Sequence, residues 1–321
     1  MEKSKLKLQA GAPPSENGIS GPSLHPSSHP DRYFMRPVRK THPEFAVADG
    51  YDYPQHLRAE VESAPQAPGI YIFHGPGDGL PLYIGKSVNL RARLLSHLRN
   101  VQEARMLRQT RRISIQRTTG EVGALLLEAR LIKQLQPLYN QKLRRSRQLC
   151  AWQFSESGLP LQLVFSRDVN FSRSPRLYGL YSSRHAAIDA LRMLAGAHGL
   201  CDARLGLEKV AAGRPCFRAT LKQCAGACCG REDAASHDAR LLAAMASIQV
   251  HCWPYSGAIG LIERWENELQ VHAIDQWCYL GSADDIDAAR LLQRQAVGFD
   301  ADGYKILCKP LLGGNPEVVA L

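Results

Sequence analysis

The sequence predicts an α/β protein in which a small three-stranded antiparallel sheet with helices is followed by a second α+β region carrying a four-cysteine site. Two observations predict this fold class. Strand-like and helix-like patterns alternate both before and after about residue 148, and four of the nine cysteines are grouped between residues 201 and 228. At 321 residues with 45% apolar content, the chain can bury a core in each of two globular units.

The first unit, at residues 49–148, has the predicted order β-β-α-β-α. The runs PGIYIFHG and PLYIGK flank the turn residues GPGDG and predict a hairpin. In NLRARLLSHLR the apolar residues Leu90, Leu94 and Leu98 have helical spacing, and RRISIQRTT is typical of a third strand. The strongly apolar EVGALLLEARLIKQLQ predicts a second helix that ends before Pro137.

The second region divides into residues 149–234 and residues 235–321. The former begins with two strand-like runs, LCAWQFSES and LPLQLVFSR, and continues with a helix at HAAIDALRMLAGAHG and the cysteine-rich stretch. The latter contains a helix at DARLLAAMASIQ, paired strands in GAIGLIER and LQVHAIDQWCYLG, and a helix at IDAARLLQRQ. We expect residues 235–321 to offer a surface for a protein partner.

The N-terminal 48 residues are rich in Ser, Pro, Gly, His and Lys and predict a disordered tail. They lack the apolar core of a secretory signal, and the chain contains no apolar run of about 18 residues. We therefore expect a cytoplasmic monomer with no membrane partner.

The positive charge of the chain is concentrated in one window. Between Lys86 and Arg147 there are fifteen Lys or Arg and three acids, a local charge of +12, so the rest of the chain sums to −2 of the total +10. A solvated surface usually mixes its signs more evenly. This distribution favours contact with a phosphate backbone, and among the basic residues of the window are Arg144, Arg145 and Arg147.

Glu128 is a charged residue on the apolar face of the second predicted helix. Its neighbours three and four positions away are all apolar: Ala124, Leu125, Leu131 and Ile132. A lone carboxylate on an apolar helix face is costly to bury unless it meets a cation. The sequence leaves open whether that cation is a basic side chain or a metal ion.

A polar stripe follows Lys86 on the first predicted helix. Asn89, Arg93 and His97 are four residues apart, so they lie on one face of that helix. Arg93 can hold a phosphate bidentately, and His97 titrates near neutral pH. The ordinary interpretation of such a stripe is a solvated helix face, and the alternative is phosphodiester chemistry.

The hairpin decides between these interpretations, because GIY at Gly69–Tyr71 and YIG at Tyr83–Gly85 stand in adjacent strands. This arrangement, followed by Arg93, Glu128 and Asn140, resembles the signature of the GIY-YIG nucleases. From about residue 51 onwards the chain is similar to the UvrC family of excision-repair nucleases, and most closely to its short homologues of the Cho type.

The resemblance implies a role for each matching residue. Glu128 would bind one Mg²⁺ (or Mn²⁺), and Arg93 would balance the charge of the transition state. Tyr71 and Tyr83 would orient or deprotonate the attacking water, without the sequence saying which of them is the base. Lys86 beside Tyr83 would lower the pKa of that phenol.

Two further residues complete the implied catalytic set. Asn140 follows the metal carboxylate at the family's spacing. His97 is a candidate proton relay, although it departs from the family pattern, because UvrC proteins often carry tyrosine at this place. Gly69 and Gly85 would allow close backbone approach and carry no chemistry.

The cysteine group contains Cys201, Cys216, Cys224 and Cys228, separated by 14, 7 and 3 residues. Four thiolates suit either zinc or an iron-sulfur cluster, and this spacing differs from the paired CxxC of zinc ribbons. RPCFRATLKQCAGAC resembles the UvrC segment that holds a four-iron four-sulfur cluster, so the resemblance favours 4Fe-4S with zinc as the alternative. Cys229, next to Cys228, is an alternative fourth ligand.

The resemblance implies a metal-dependent DNA endonuclease of nucleotide excision repair, which cuts on the 3′ side of a lesion in damaged double-stranded DNA loaded with UvrB. Arg144, Arg145 and Arg147 would contact DNA phosphates. Two other functions stay open: a stand-alone, sequence-directed GIY-YIG nuclease, and a non-catalytic DNA-binding scaffold.

Overall fold

The computed structural model describes residues 53–143, 148–155, 158–292 and 299–321. The predicted tail at residues 1–48 and the arginines at 144, 145 and 147 lie outside these ranges. Within the described part, no helix combines the length and the apolar character needed to cross a membrane.

The first part of the described chain is built on a three-stranded sheet of order β2-β1-β3, antiparallel throughout. Its elements are α1 (Arg58–Ser63), β1 (Gly69–His74), β2 (Tyr83–Ser87), α2 (Leu90–Leu98), α3 (Ala104–Gln109), β3 (Arg112–Arg117) and α4 (Glu121–Leu135). The predicted three-stranded antiparallel sheet and both predicted helices are confirmed. The sequence did not predict α1 and α3, whose six residues each are too few to show a clear helical period.

The core of this part lies on one side of α2. Leu90, Leu94 and Leu98 are all fully buried and pack with Phe73 of β1 and Leu57 before α1. Asn89 ends the preceding loop as the N-cap of α2, where its side chain accepts a hydrogen bond from the amide of Ala92. The apolar stripe of the helix is therefore its inner face.

The middle part holds a four-stranded sheet of order β5-β4-β6-β7. Its elements are β4 (Cys150–Ser155), β5 (Gly158–Phe165), β6 (Leu177–Tyr181), α5 (Arg184–Ala197), α6 (Phe217–Thr220), α7 (Ala234–Met245) and β7 (Gln249–Val250). Helices α5 and α7 pack against one face through Leu191, Leu241 and Met245, and the other face contributes Ala151 and Leu177 to a core shared with the C-terminal part.

The C-terminal part holds a second four-stranded sheet, of order β10-β9-β8-β11. Its elements are β8 (Ile259–Trp265), β9 (Glu268–Asp275), β10 (Cys278–Ala283), α8 (Ile286–Arg290), α9 (Ala301–Gly313) and β11 (Val318–Ala320). The run LQVHAIDQWCYLG forms two strands, because Gln276 and Trp277 adopt positive φ values of 49° and 67° and turn the chain. The predicted helix IDAARLLQRQ begins as α8, and its residues 293–295 lie outside the described residues.

Helix α4 joins the first and last parts. Its side chain Leu126 belongs to the core that contains Ile259, Leu261 and Ile274 of the C-terminal sheet. Arg130 donates to the carbonyl of Leu280 at 3.1 Å. Glu128 on this helix is therefore placed by contacts that α4 makes on both of its sides.

Candidate active site and cysteine cluster

The β1–β2 hairpin brings Tyr71 and Tyr83 together. Tyr71 pairs across the strands with Gly85, and Phe73 pairs with Tyr83. The Tyr71 side chain crosses Gly85 so closely that a Cβ there would lie 2.3 Å from the phenol oxygen. The centroids of the two tyrosine rings are 6.2 Å apart. The predicted close approach at Gly85 is thus explained by the path of Tyr71.

Helix α2 adds Arg93 and His97 to the two tyrosines. The phenol oxygen of Tyr71 lies 2.6 Å from Nε2 of His97, and Nε of Arg93 donates to the same oxygen at 3.4 Å. His97 is only 3% exposed, so it does not belong to a solvated face. The predicted polar stripe is corrected in this respect: Asn89 caps the helix, Arg93 is exposed and His97 is buried.

Glu103 is a member of this group that the sequence did not assign to the site. Its carboxylate bonds to Nδ1 of His97, between α2 and α3. A carboxylate on Nδ1 keeps the proton on that nitrogen and leaves Nε2 with a lone pair facing Tyr71. The signal available in the sequence was that Glu103 is one of three acids in a strongly basic window.

Burial sets the protonation of these groups. It raises the pKa of Tyr71 well above its ordinary value, with the neighbouring Tyr83 acting in the same direction. It also raises the pKa of Tyr83, reinforced by the charge of Glu128. The pKa of His97 is lowered by burial, which Glu103 offsets only in part. At neutral pH both phenols and the imidazole are therefore uncharged.

Glu128 projects from α4 towards the same group. Burial raises the pKa of its carboxyl, and the charges of Lys86 and Arg93, with the backbone amide of Lys86, oppose that shift. Within the described ranges no basic side chain forms an ion pair with Glu128. Of the two cations that the sequence left open, the basic partner is thus missing from the described structure, and the half-buried carboxylate suits a divalent metal ion.

Lys86 has a different position from the one predicted. Its ammonium group lies 2.5 Å from Oε1 of Glu121, the first residue of α4. Burial and the charge of Glu128 raise the pKa of Tyr83, and Lys86 is not one of the main causes of the shift. The expectation that Lys86 brings the pKa of Tyr83 below its ordinary value was wrong, because burial has the larger effect.

Asn140 contacts the backbone of β2. Its Oδ1 accepts from the amide of Ile84 and its Nδ2 donates to the carbonyl of the same residue, both at 2.9 Å. The side chain thus behaves like an additional strand residue beside β2. It fixes Ile84, which stands between Tyr83 and Gly85.

The predicted cysteines also come together. Sγ of Cys216 lies 3.8 Å from Sγ of Cys201 and 3.8 Å from Sγ of Cys224. The ligand atoms of Cys201, Cys216 and Cys228 all lie within 4.8 Å of one another. Cys229 donates instead to the carbonyl of Gly226 at 3.3 Å. A thiol group this tight has the donor chemistry of a soft metal centre, either zinc or iron-sulfur.

Comparison with known proteins places these features in one family. The chain is 52% identical to excinuclease Cho of Escherichia coli K12 over 278 residues, which cover 87% of this chain and 94% of that protein. It belongs to the Cho excinuclease family. Excinuclease Cho of Salmonella typhi is 54% identical over 278 residues, which again cover 87% of this chain and 94% of that protein. The predicted resemblance to the UvrC family of GIY-YIG nucleases, and to its Cho-type members, is confirmed.

Three family domains match successive parts of this chain. Residues 67–141 match the UvrC-like GIY-YIG domain, residues 149–247 the middle domain of UvrC/Cho excinucleases, and residues 258–321 the C-terminal domain of excinuclease Cho. The chain therefore contains a GIY-YIG endonuclease domain and is related to the excinucleases of nucleotide excision repair.

More distant relatives match only in part. The UvrABC system protein C of Oleidesulfovibrio alaskensis is 32% identical over 176 residues, which are 53% of this chain and 24% of that protein. The solved GIY-YIG N-terminal endonuclease domain of UvrC from Thermotoga maritima, bound to its catalytic divalent cation magnesium, is 34% identical. It covers 27% of this chain and 97% of that domain, with a TM-score of 0.25.

Proposed function

We propose that this chain makes a single incision on the 3′ side of a lesion, in damaged double-stranded DNA that already carries UvrB. The observation that carries the catalytic part is the hydrogen-bonded row of Tyr71, His97 and Glu103 beside Arg93 and Glu128. One such site lies in the described part of the chain. One site cleaves one phosphodiester at a time, so a different nuclease would make the 5′ cut.

In this proposal Glu128 holds the metal ion. The fit rests on a half-buried carboxylate without an ionic partner among the described residues, and on the amide of Lys86 that faces it. Mg²⁺ (or Mn²⁺) bound there would polarise the scissile phosphate and stabilise the leaving oxygen. A single carboxylate at the site fits one metal ion.

Tyr71 is the base in this scheme, because it is the tyrosine that can pass its proton on. A phenol with a raised pKa holds its proton at neutral pH, so it can deprotonate water only if its own proton leaves at the same time. That proton has an acceptor 2.6 Å away, Nε2 of His97. Glu103 then stabilises the imidazolium through Nδ1.

Arg93 binds the phosphate. Its guanidinium group is exposed, and its Nε contacts the phenol oxygen of Tyr71 at 3.4 Å. A phosphate held by the terminal nitrogens of Arg93 would thus lie next to the base, and the positive charge offsets the negative charge that develops in the transition state.

The other three residues position this machinery. Tyr83, neutral by its raised pKa, would orient the attacking water. Asn140 holds the strand that carries Tyr83. Lys86 ties β2 to the first residue of α4 through Glu121. The last two therefore act by position and do not touch the reacting atoms.

We propose a 4Fe-4S cluster at Cys201, Cys216, Cys224 and Cys228, with zinc as the alternative. The close thiol groups support a four-thiolate site, and the bond of Cys229 to Gly226 favours Cys228 as the fourth ligand. Such a centre would hold the loops between α5 and α7 and would take no part in the hydrolysis. Arg144, Arg145 and Arg147 would contact DNA phosphates between the nuclease domain and this region.

The proposed division of labour keeps residues 49–148 as the endonuclease domain and the region that follows as the carrier of the cysteine cluster. The predicted boundary at residues 234 and 235 is moved towards the C-terminus, because α7 packs in the core of the middle sheet and β7 pairs with β6. The C-terminal region that would meet UvrB is then the sheet and helices that follow β7. Relatives named excinuclease Cho match this chain over 94% of their length, whereas the UvrC protein of O. alaskensis matches over 24% of its own, and this contrast supports a role like that of Cho.

The test is nicking of a lesion-containing duplex preloaded with UvrB, with Mg²⁺, by the wild type, Glu128→Ala and the control Glu317→Ala. Glu317 is an exposed carboxylate paired with Arg264, so its loss leaves the site intact. One 3′ nick, lost only in Glu128→Ala at equal DNA binding, supports the proposal. A nick in undamaged DNA without UvrB indicates a stand-alone nuclease, and binding without any nick indicates a scaffold.

A further inference from the structure

The first turn of α4 has no cap of its own. The N-cap residue is Gly120, which has no side chain to accept from the helix amides. The first amides of a helix must find acceptors outside it, and a buried amide left unpaired is destabilising. The acceptor for the start of the helix that carries Glu128 therefore has to come from elsewhere in the chain.

Glu263 of β8 is that acceptor. Its Oε1 accepts from the amide of Val122 at 3.0 Å and its Oε2 from the amide of Gly123 at 2.7 Å. The residue lies 140 positions further along the chain than Gly123. A carboxylate at this end also interacts favourably with the helix dipole.

Glu263 is itself held in place by a row of hydrogen bonds that runs through the buried His272. Nε2 of His272 lies 2.9 Å from Oε2 of Glu263, and Nδ1 of His272 lies 2.7 Å from the hydroxyl of Ser282. The His272 side chain is fully buried. The carboxylate thus has a fixed position on the C-terminal sheet, which is a requirement for a group that has to position another element.

Two glycines make this contact possible. A Cβ at residue 120 would lie 2.1 Å from Oε1 of Glu263, and a Cβ at residue 123 would lie 2.5 Å from Cε1 of His272. Glycine in the first turn of a helix lowers its intrinsic stability. Gly123 is accounted for by the close approach of β8 and β9 to α4.

We propose that Glu263 is a positioning residue for the nuclease site, setting the place of Glu128 by capping α4 from the C-terminal region. This inference rests on the proposed function of Glu128. Glu128 follows Gly123 by about one and a half turns, about 7.5 Å along the axis, on a face rotated by about 140°. A rigid helix transmits a shift of its first turn to the carboxylate on the opposite side.

Further contacts of α4 with the C-terminal region agree with this assignment. Lys133 near the end of the helix bonds to Asp300 at 2.8 Å and to Asp302 at 2.9 Å. Thr119, just before the helix, donates its amide to Gln270 of β9 at 3.2 Å. The helix is thus fixed at both ends by the last part of the chain, and the cap at Glu263 holds its first turn.

The test uses the full chain and the variants Glu263→Ala and Glu263→Gln, with Leu311→Ala as a destabilised control. Leu311 lies in the C-terminal core near the end of α9 and takes no part in the hydrogen bonds of Glu263 to Val122, Gly123 and His272. Glutamine keeps one acceptor oxygen for the two amides, so it should rescue part of what alanine loses. We expect kcat for nicking to fall about 10- to 100-fold in Glu263→Ala, less in Glu263→Gln, and KM for DNA to stay unchanged.

The control separates positioning from stability. Leu311→Ala should lower the melting temperature at least as much as Glu263→Ala while keeping the wild-type kcat at a temperature where all variants are folded. If Glu263→Ala nicks at the wild-type rate, or loses no more activity than Leu311→Ala, the inference is overturned.

A second readout does not depend on nuclease activity. Hydrogen exchange at the amides of Val122 and Gly123 should be faster in Glu263→Ala than in the wild type and in Leu311→Ala. If the protection of these amides is unchanged, Glu263 does not cap α4 and the inference is overturned. A wild type that makes no nick would instead contradict the proposed function, and the exchange measurement would still decide whether Glu263 caps α4.

Discussion

The phenol oxygen of Tyr71 and Nε2 of His97 lie 2.6 Å apart, although 26 positions separate the two residues in the chain. The hairpin supplies the phenol and α2 supplies the imidazole. Because the opposite ring nitrogen is bonded to Glu103, the imidazole presents an acceptor to the phenol. This relationship distinguishes Tyr71 from Tyr83, which lies in the same group without a histidine hydrogen bond in the described structure.

Tyr71→Phe should therefore lower the rate of nicking more than Tyr83→Phe. Loss of a proton-transfer group typically costs about 100-fold or more, whereas loss of a hydroxyl that only orients water costs less. Single-turnover nicking at saturating enzyme measures both variants under the same conditions. An equal or larger loss in Tyr83→Phe would assign the base to Tyr83 instead.

The acid limb of the pH profile should report His97. Its pKa in the folded chain is lowered by burial, so the imidazole is neutral at pH 7 and gains a proton only below its ordinary value of about 6.5. Proton acceptance from Tyr71 is lost when that happens, so kcat should fall on the acid side. The charged and titratable groups that face His97 are Tyr71, Tyr83, Arg93 and Glu103.

Glu103→Gln should move this acid limb to lower pH, because the carboxylate of Glu103 raises the pKa of His97. The rate at neutral pH should also fall, about tenfold, because the tautomer and the imidazolium lose their partner. Glu62→Gln is the control, since Glu62 is exposed and pairs with Arg58. An acid limb that stays in place would show that His97 does not determine it.

Asn140→Ala should destabilise the fold by about 1–3 kcal/mol, because both backbone groups of Ile84 lose their partner in a partly buried place. Denaturant unfolding measures this change in the free energy of unfolding. Asn100→Ala is the matched control: its side chain accepts one exposed hydrogen bond, from the amide of Gln102. If the free energy of unfolding falls equally in the two variants, the hydrogen bonds of Asn140 to Ile84 are unimportant for stability.

The cysteine site predicts the metal content of the purified chain. We expect iron and acid-labile sulfide, lost in Cys216→Ser and retained in Cys229→Ser, because Cys216 lies at the centre of the thiol group and Cys229 bonds to Gly226. Anaerobic purification with iron, sulfide and zinc analysis makes the measurement. Zinc without sulfide would replace the iron-sulfur assignment, and loss of metal in Cys229→Ser would change the fourth ligand.

Removal of the charges at Arg144, Arg145 and Arg147 should weaken DNA binding and reduce its salt dependence. Each phosphate contact contributes about −0.9 to the slope of log K against log salt concentration. The slope of the triple alanine variant should therefore be less steep by about 2–3 than that of the wild type. Titration of a duplex at several salt concentrations measures the slope. Arg264→Ala, which removes an exposed charge already paired with Glu317, is the control. An unchanged slope in the triple variant contradicts these contacts.

Local patterns in the sequence determined the hairpin, the three-stranded antiparallel sheet and the buried stripe at Leu90, Leu94 and Leu98. Turn residues, alternating strands and helical spacing act over a few neighbours, so they are readable without a structure. The conflict between Glu128 and its apolar neighbours was readable for the same reason. The cysteines were found because their residue type is rare and their grouping is dense.

Only the tertiary structure decided what those residues contact. The hydrogen bonds of Asn140 to Ile84, the pairing of Lys86 with Glu121 and the cap of Glu263 on α4 join elements that are distant in the chain. His97 and Glu103 are six positions apart, but they belong to different helical segments. Such hydrogen bonds have no periodicity and depend on how sheets and helices pack. The sequence therefore determined which residues are candidates for the chemistry, with the exception of Glu103, while packing decided which partners orient them and set their pKa values.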